Sequence, residues 1–180
     1  MEKNRYAPSF ANNLLNGMSP TIILVGAVTL LYVYLMQFID HKLLWVQYVV
    51  LLFAMVKALF FTFFTIKQIK RSIFQCYSLY RLIWIFGLLV SLIIFSFASD
   101  FVCLSGFDKN AFAGIEQSGF LNDFFEYFYF STVTFASIGY GDIVPVSGLA
   151  RVLVIMEIGQ SFILIVFGLS NINNMQIDKN

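Results

Sequence analysis

The run Thr134-Phe-Ala-Ser-Ile-Gly-Tyr-Gly-Asp142 holds the residues best placed to do chemistry in this chain, and the chemistry is that of backbone oxygen. Gly139 and Gly141 can take positive φ values that other residues avoid. Alternation of left- and right-handed conformations would turn successive carbonyls toward one line, whereas ordinary strand geometry sends them to opposite sides. The carbonyls of Ser137, Ile138, Gly139 and Tyr140, with the Ser137 hydroxyl at the inner end, would then form a ladder. Four such ladders around an axis can replace the water shell of a bare potassium ion. Ile138 and Tyr140 would project away from the ions, with Tyr140 bonding to or packing on Tyr129 or Phe130. The chain then reads as one quarter of an ion pore.

A ladder of this kind needs a shielded setting. Residues 123–135 have a helical, aromatic pattern too short to cross a bilayer, with Asn122 or Asp123 as the expected cap. This short helix would aim its partially negative C-terminal end toward a cation. Pro145 stops any continuation. Irregular backbone at membrane depth is tolerated only where protein walls it in or it lines a wet cavity. One chain cannot enclose such a path, and a closed ring of symmetric copies can.

Composition points to the same solvent. Of 180 residues, 59 % are apolar and only 12 % charged, against the roughly 25 % charged of a usual soluble domain. A chain this short could not hide that much apolar surface in water. The net charge of +1 argues against a nucleic-acid surface. Cys76 is expected inside the cell and Cys103 outside, so they do not pair within one chain. No ligand cluster for a metal is visible, and neither is a Ser-His-Asp set or a nucleotide-binding loop. The expected cofactor list is empty apart from potassium ions, and the protein is not expected to be an enzyme.

Four spans are expected. The first covers about 20–38, opened by Ser19-Pro20, and reads as retained rather than as a cleaved signal. The second covers about 43–64, after the short external turn Asp40-His41-Lys42. Its Lys57 is expected to snorkel to the interface. The third covers about 82–98 and the fourth about 149–169. Lys3, Arg5, Lys67, Lys70, Arg71 and Arg81 place both termini and the 67–81 linker in the cytoplasm. The domain plan is therefore an N-terminus over 1–18, a peripheral hairpin over 19–66, the linker, and a pore domain over 82–170. A tail over 171–180 completes it. The pore domain divides into outer helix, external loop, pore helix 123–135, filter 137–141 and inner helix 149–170. Asp100, Asp108 and Glu116 in the loop would gather cations near the opening. Arg151 sits at the outer end of the last helix and needs a local partner.

The segment Tyr129-Phe-Ser-Thr-Val-Thr-Phe-Ala-Ser-Ile-Gly-Tyr-Gly-Asp-Ile-Val-Pro145 resembles the pore loop of tetrameric potassium channels, whose usual pattern is Thr-x-Thr-Thr-Val/Ile-Gly-Tyr-Gly-Asp. The resemblance covers about residues 82–170. The four-span layout is similar to small prokaryotic members of the two-helix-pore superfamily, many of which carry a Glu and a Gly-Gln step in the last helix, here Glu157 and Gly159-Gln160. This implies an all-α membrane protein assembled as a homotetramer among lipids of the plasma (inner) membrane, conducting potassium selectively and passively. Ser137 replaces the usual Thr, losing the methyl that restricts its rotamer, and Ala136 replaces a second Thr. Val133 stands where some members have a Glu paired with the filter Asp, so Asp142 must find another partner, such as Tyr129, or none.

Around the filter, Thr134, Gly141, Asp142 and Glu157 are expected to give support. Glu157 lies in the last span, where an ionisable group is costly. Three roles are open: accepting bonds from Ser131, Thr132 or filter backbone, acting as a protonation-sensitive brace, or entering the ion path. Gly159 offers a bend, although the superfamily's hinge glycine falls near Ser161. Phe162, Ile165 and Leu169 recur at helical spacing, fit either for a cavity that gates by dewetting or for plain helix packing. No periodic arginines support voltage sensing, and no ligand-sensing domain is expected. Two rival readings are a weakly selective cation channel and a non-conducting scaffold or accessory subunit.

Overall fold

The computed structural model describes residues 45–73, 79–116 and 118–177. The expected first span, the turn at Asp40-His41-Lys42, Cys76 and the extreme termini lie outside the described residues. Among the described residues four helices carry the fold: α1 (Trp45–Ile73), α2 (Leu79–Phe107), α3 (Phe120–Phe135) and α4 (Gly148–Ile177). Two short strands, β1 (Phe112–Ala113) and β2 (Val144–Pro145), pair antiparallel with Phe112 opposite Pro145 and Ala113 opposite Val144.

Among the described residues two apolar stretches are long enough to cross a membrane. Phe86–Phe107 has 22 residues and Gly148–Gly168 has 21. At 1.5 Å per residue each reaches about 30 Å, the thickness of the hydrocarbon core. A shorter apolar stretch, Tyr48–Phe63, lies in α1.

The outer helix corrects the expected third span. It does not stop near Ala98 but runs on to Phe107, carrying Ser99, Asp100 and Cys103 into a buried helical face. The reason is a counter-charge. Lys57 of α1 lies 2.7 Å from Asp100 Oδ1 and 3.5 Å from the Ser96 carbonyl, and both ionic side chains are buried. Lys57 therefore does not snorkel, Asp100 does not belong to an external loop, and Cys103 is buried rather than external. The pair also sets the register of α1 against α2. The linker expected over 67–81 shrinks too, because α1 reaches Ile73 and α2 starts at Leu79. The inner helix is longer than expected. It starts at Gly148, with the Ser147 hydroxyl accepting from the Ala150 N–H at 3.1 Å, and continues to Ile177. The stretch 171–177 contains no Gly or Pro to end it.

An aromatic knot ties α3 to α2 and β1. Phe101 lies 5.2 Å from Phe130 and 5.4 Å from Phe112, and Phe112 lies 5.1 Å from Tyr127, all centroid to centroid. Edge and tilted geometries dominate, as ring quadrupoles prefer, each pair worth about 0.5–1.5 kcal/mol beyond burial. Helix α4 divides cleanly by burial. Ala150, Leu153, Glu157, Gln160, Ser161 and Leu164 face inward, while Ile155, Phe162, Ile165 and Val166 are left uncovered by this chain.

Candidate ion-conducting site

Helix α3 places the Gly-Tyr-Gly segment. It begins at Phe120, earlier than the expected start at residue 123. Gly119 at the cap position has no capping side chain. Instead Asp123 Oδ1 reaches back and accepts from the N–H of Ser118 at 2.9 Å and of Gly119 at 3.4 Å. This resembles the returning half of a capping box.

The far end of α3 turns by a Schellman motif. The Ser137 N–H donates to the Thr134 carbonyl at 2.9 Å and the Ile138 N–H to the Val133 carbonyl at 3.0 Å. The residue that makes this turn is Ser137, at φ 56, in the left-handed region where Gly is usual. Sequence reasoning had assigned positive φ to Gly139 and Gly141, found here at 59 and 82. It missed that Ser137 continues the same series. Positive φ thus falls on every second residue across 137–141. Among the described residues the carbonyls of Ser137, Ile138, Gly139, Tyr140 and Gly141 accept no hydrogen bond. Thr134 is buried beneath the turn.

Residues 136–142 are all exposed in the single chain. Ile138 is 54 % and Tyr140 68 % exposed, and Tyr140 makes no ring contact with Tyr129 or Phe130. Within the single chain most of the Tyr140 side chain is left open. Asp142 has the partner named as one of two outcomes. The Tyr129 hydroxyl donates to Asp142 Oδ2 at 2.7 Å, and Asp142 Oδ1 accepts from the Ile143 N–H at 3.0 Å. The Tyr129 bond holds the Asp142 carboxyl below its ordinary value of 3.8, and the same bond pushes the Tyr129 phenol up to about 12.

The exit from the segment is pinned by main chain. β2 pairs with β1, and the Val146 N–H donates to the Ala111 carbonyl at 2.8 Å. Gly114, at φ +93, passes so close that a Cβ there would sit 1.9 Å from the Asp142 carbonyl oxygen. No sequence signal marked this glycine, because the approach depends on tertiary pairing. Arg151 finds its local partner, donating from Nε to the Pro145 carbonyl at 3.4 Å.

Behind α3, Glu157 is fully buried and hydrogen-bonded to Ser131, whose Oγ also lies 3.0 Å from the Ile94 carbonyl. Of the expected bend and cavity residues, Gly159 lies within unbroken helix with open space beside it. Phe162 and Ile165 are on the uncovered face of α4. The backbone of Leu169 is helical, and its side chain is outside the described residues. The close helix crossing occurs instead at Gly168, where a Cβ would meet the Phe86 ring at 2.5 Å.

The ion channel family (Ion_trans_2) matches residues 82–177, more than half of the chain. The chain belongs to this family. It is 30 % identical over 89 residues to "Two-pore potassium channel 4" of Arabidopsis thaliana, covering 49 % of this chain and 30 % of that protein. It is 35 % identical over 68 residues to "Potassium channel K2" of Plasmodium berghei, covering 38 % of this chain and 5 % of that protein. "Potassium channel K2" of Plasmodium falciparum is 46 % identical over 44 residues, 24 % of this chain and 3 % of that protein. The matched stretches thus span less than a third of each of these relatives. No solved structure matches the chain. Family membership makes this an ion-channel-family protein of the membrane, with a non-enzymatic function. No group of three or more His, Cys, Asp or Glu able to hold a metal occurs among the described residues.

Proposed function

We propose that four copies of this chain form a potassium-selective channel that passes K+ down its gradient. The observation that carries the reading is the run 137–141: alternating positive φ and carbonyls that accept no hydrogen bond, at the end of a helix too short to cross the membrane. Carbonyls of Ser137, Ile138, Gly139 and Tyr140, with the Ser137 hydroxyl, coordinate dehydrated K+ in a row. Thr134, Gly141, Asp142 and Glu157 hold that row. The negative end of α3 favours the cation on the cavity side.

Two observations support a fourfold assembly. Ile138 and Tyr140 need a wall that their own chain does not supply, and so does the α4 face bearing Ile155, Phe162 and Val166. Neighbouring copies around an axis supply both. On this reading Gly159, Phe162, Ile165 and Leu169 border the inner cavity or gate. The chain has four spans, including the one over 20–38, and the basic residues keep both termini in the cytoplasm.

Purified protein in lipid vesicles tests the proposal. Potassium influx that barium blocks is the expected result, and vesicles that stay tight overturn it in favour of a scaffold.

A further inference from the structure

Lys57, Asp100 and Glu157 are the buried acidic and basic side chains among the described residues. Lys57 and Asp100 neutralise each other. Among the described residues Glu157 faces no cation. Asp100 from α2 is committed to Lys57 from α1, α3 presents the Ser131 hydroxyl, and Arg151 of α4 is exposed and turned to Pro145. An ionised Glu157 would therefore be an uncompensated charge in an apolar interior, which is among the costliest arrangements a protein can hold.

Proton counting reaches the same point independently. Ser131 Oγ touches two oxygens, the Ile94 carbonyl and Glu157 Oε1. A serine hydroxyl has one proton to give, and a carbonyl has none. Both contacts are hydrogen bonds only when the second proton comes from Glu157. Among the described residues Glu157 Oε2 has no partner, tolerable for the carbonyl oxygen of an acid and expensive for a carboxylate. Ser131 also lies toward the C-terminal end of α3, where the helix's partial negative charge opposes another anion.

We propose that Glu157 is a neutral carboxylic acid that donates to Ser131 Oγ while Ser131 donates to the Ile94 carbonyl. This reverses the first of the three roles read from sequence, in which Glu157 accepts from Ser131. The relay ties α4 to α3 and α2 with two protons and no net charge. It makes Glu157 a positioning residue: a displacement of α4 is passed to α3, whose last carbonyls hold the backbone at Ser137 and Ile138. That consequence rests on the pore reading, whereas the protonation state does not.

Infrared spectroscopy of the full chain in lipid at neutral pH tests it. The wild type shows a protonated-carboxyl stretch, Glu157→Gln loses it, and Ser131→Ala shifts it because the acid has lost its acceptor. No such band, or one unchanged in both variants, overturns the proposal. In the vesicle assay Glu157→Ala lowers potassium flux further than Glu157→Gln, which still donates without charge. Equal loss in the two variants contradicts the relay. Absent flux in the wild type with the band present would instead remove the pore reading and leave the neutral acid standing.

Discussion

Two hydrogen bonds of the same 2.7 Å length hold carboxylates in this chain, and they do different work. Asp100 meets Lys57 among buried helices, and Asp142 meets Tyr129 at the exposed end of the Gly-Tyr-Gly segment. The first joins opposite charges where water is excluded. Forming it costs several kcal/mol of desolvation per ion, so its net worth is small, but breaking it on one side leaves a bare charge. The second is open to solvent and screened. Length alone does not rank the two interactions; the surroundings do. The interior uses its ion pair to set helix register. The mouth is held by β1–β2 pairing and by the close passage of Gly114, with the Asp142 bond as an addition.

Breaking the interior pair has the largest expected effect. Lys57→Met strands Asp100 and costs about 3–5 kcal/mol, read as a fall in thermal stability of the purified protein. Adding Asp100→Leu to Lys57→Met removes the second charge and recovers most of that loss. If Lys57→Met alone is harmless, the pair does not set the register.

At the mouth the larger effect comes from the main chain. Gly114→Ala puts a methyl into the Asp142 carbonyl at a φ that side chains rarely adopt, costing about 1–3 kcal/mol. On the pore reading it also reduces potassium flux while the helical circular-dichroism signal is kept. Normal flux and stability in this variant would show that β1 does not brace the segment.

The smallest effect belongs to Tyr129→Phe. Asp142 is held below 3.8, so its bond contributes fully above that pH and is lost as the pH falls through the lowered value. Tyr129 is raised to about 12, so the same bond contributes fully below 10.0 and is lost as the pH climbs toward 12. Between those limits the bond is insensitive to pH. Tyr129→Phe moves the Asp142 titration back up toward its ordinary range, measurable by infrared titration of the carboxylate, with little change at neutral pH.

The contrast also explains what the sequence disclosed. The Gly-Tyr-Gly string, the short aromatic helix before it and Tyr129 as a partner for Asp142 were readable because they lie within a short stretch of chain. The extent of α2 was not. Asp100 looks like the polar end of a span until Lys57, 43 residues away, is known to face it. Gly114 was silent for the same reason, since nothing near it in sequence announces the Asp142 carbonyl. The backbone role of Ser137 was missed in a subtler way. A serine is an unusual left-handed terminator, and only the Schellman bonds to Thr134 and Val133 reveal that role. Local signals survive in a sequence, and contacts between distant helices do not.

On the proposed fourfold reading, rings of peptide oxygen that accept no hydrogen bond within the chain prefer potassium to sodium. Single-channel recording from the purified protein, with potassium on one side of a bilayer and sodium on the other, measures this. A reversal potential displaced strongly toward that of potassium is the expected result. Reversal near zero, or no current from protein that is folded and inserted, contradicts it.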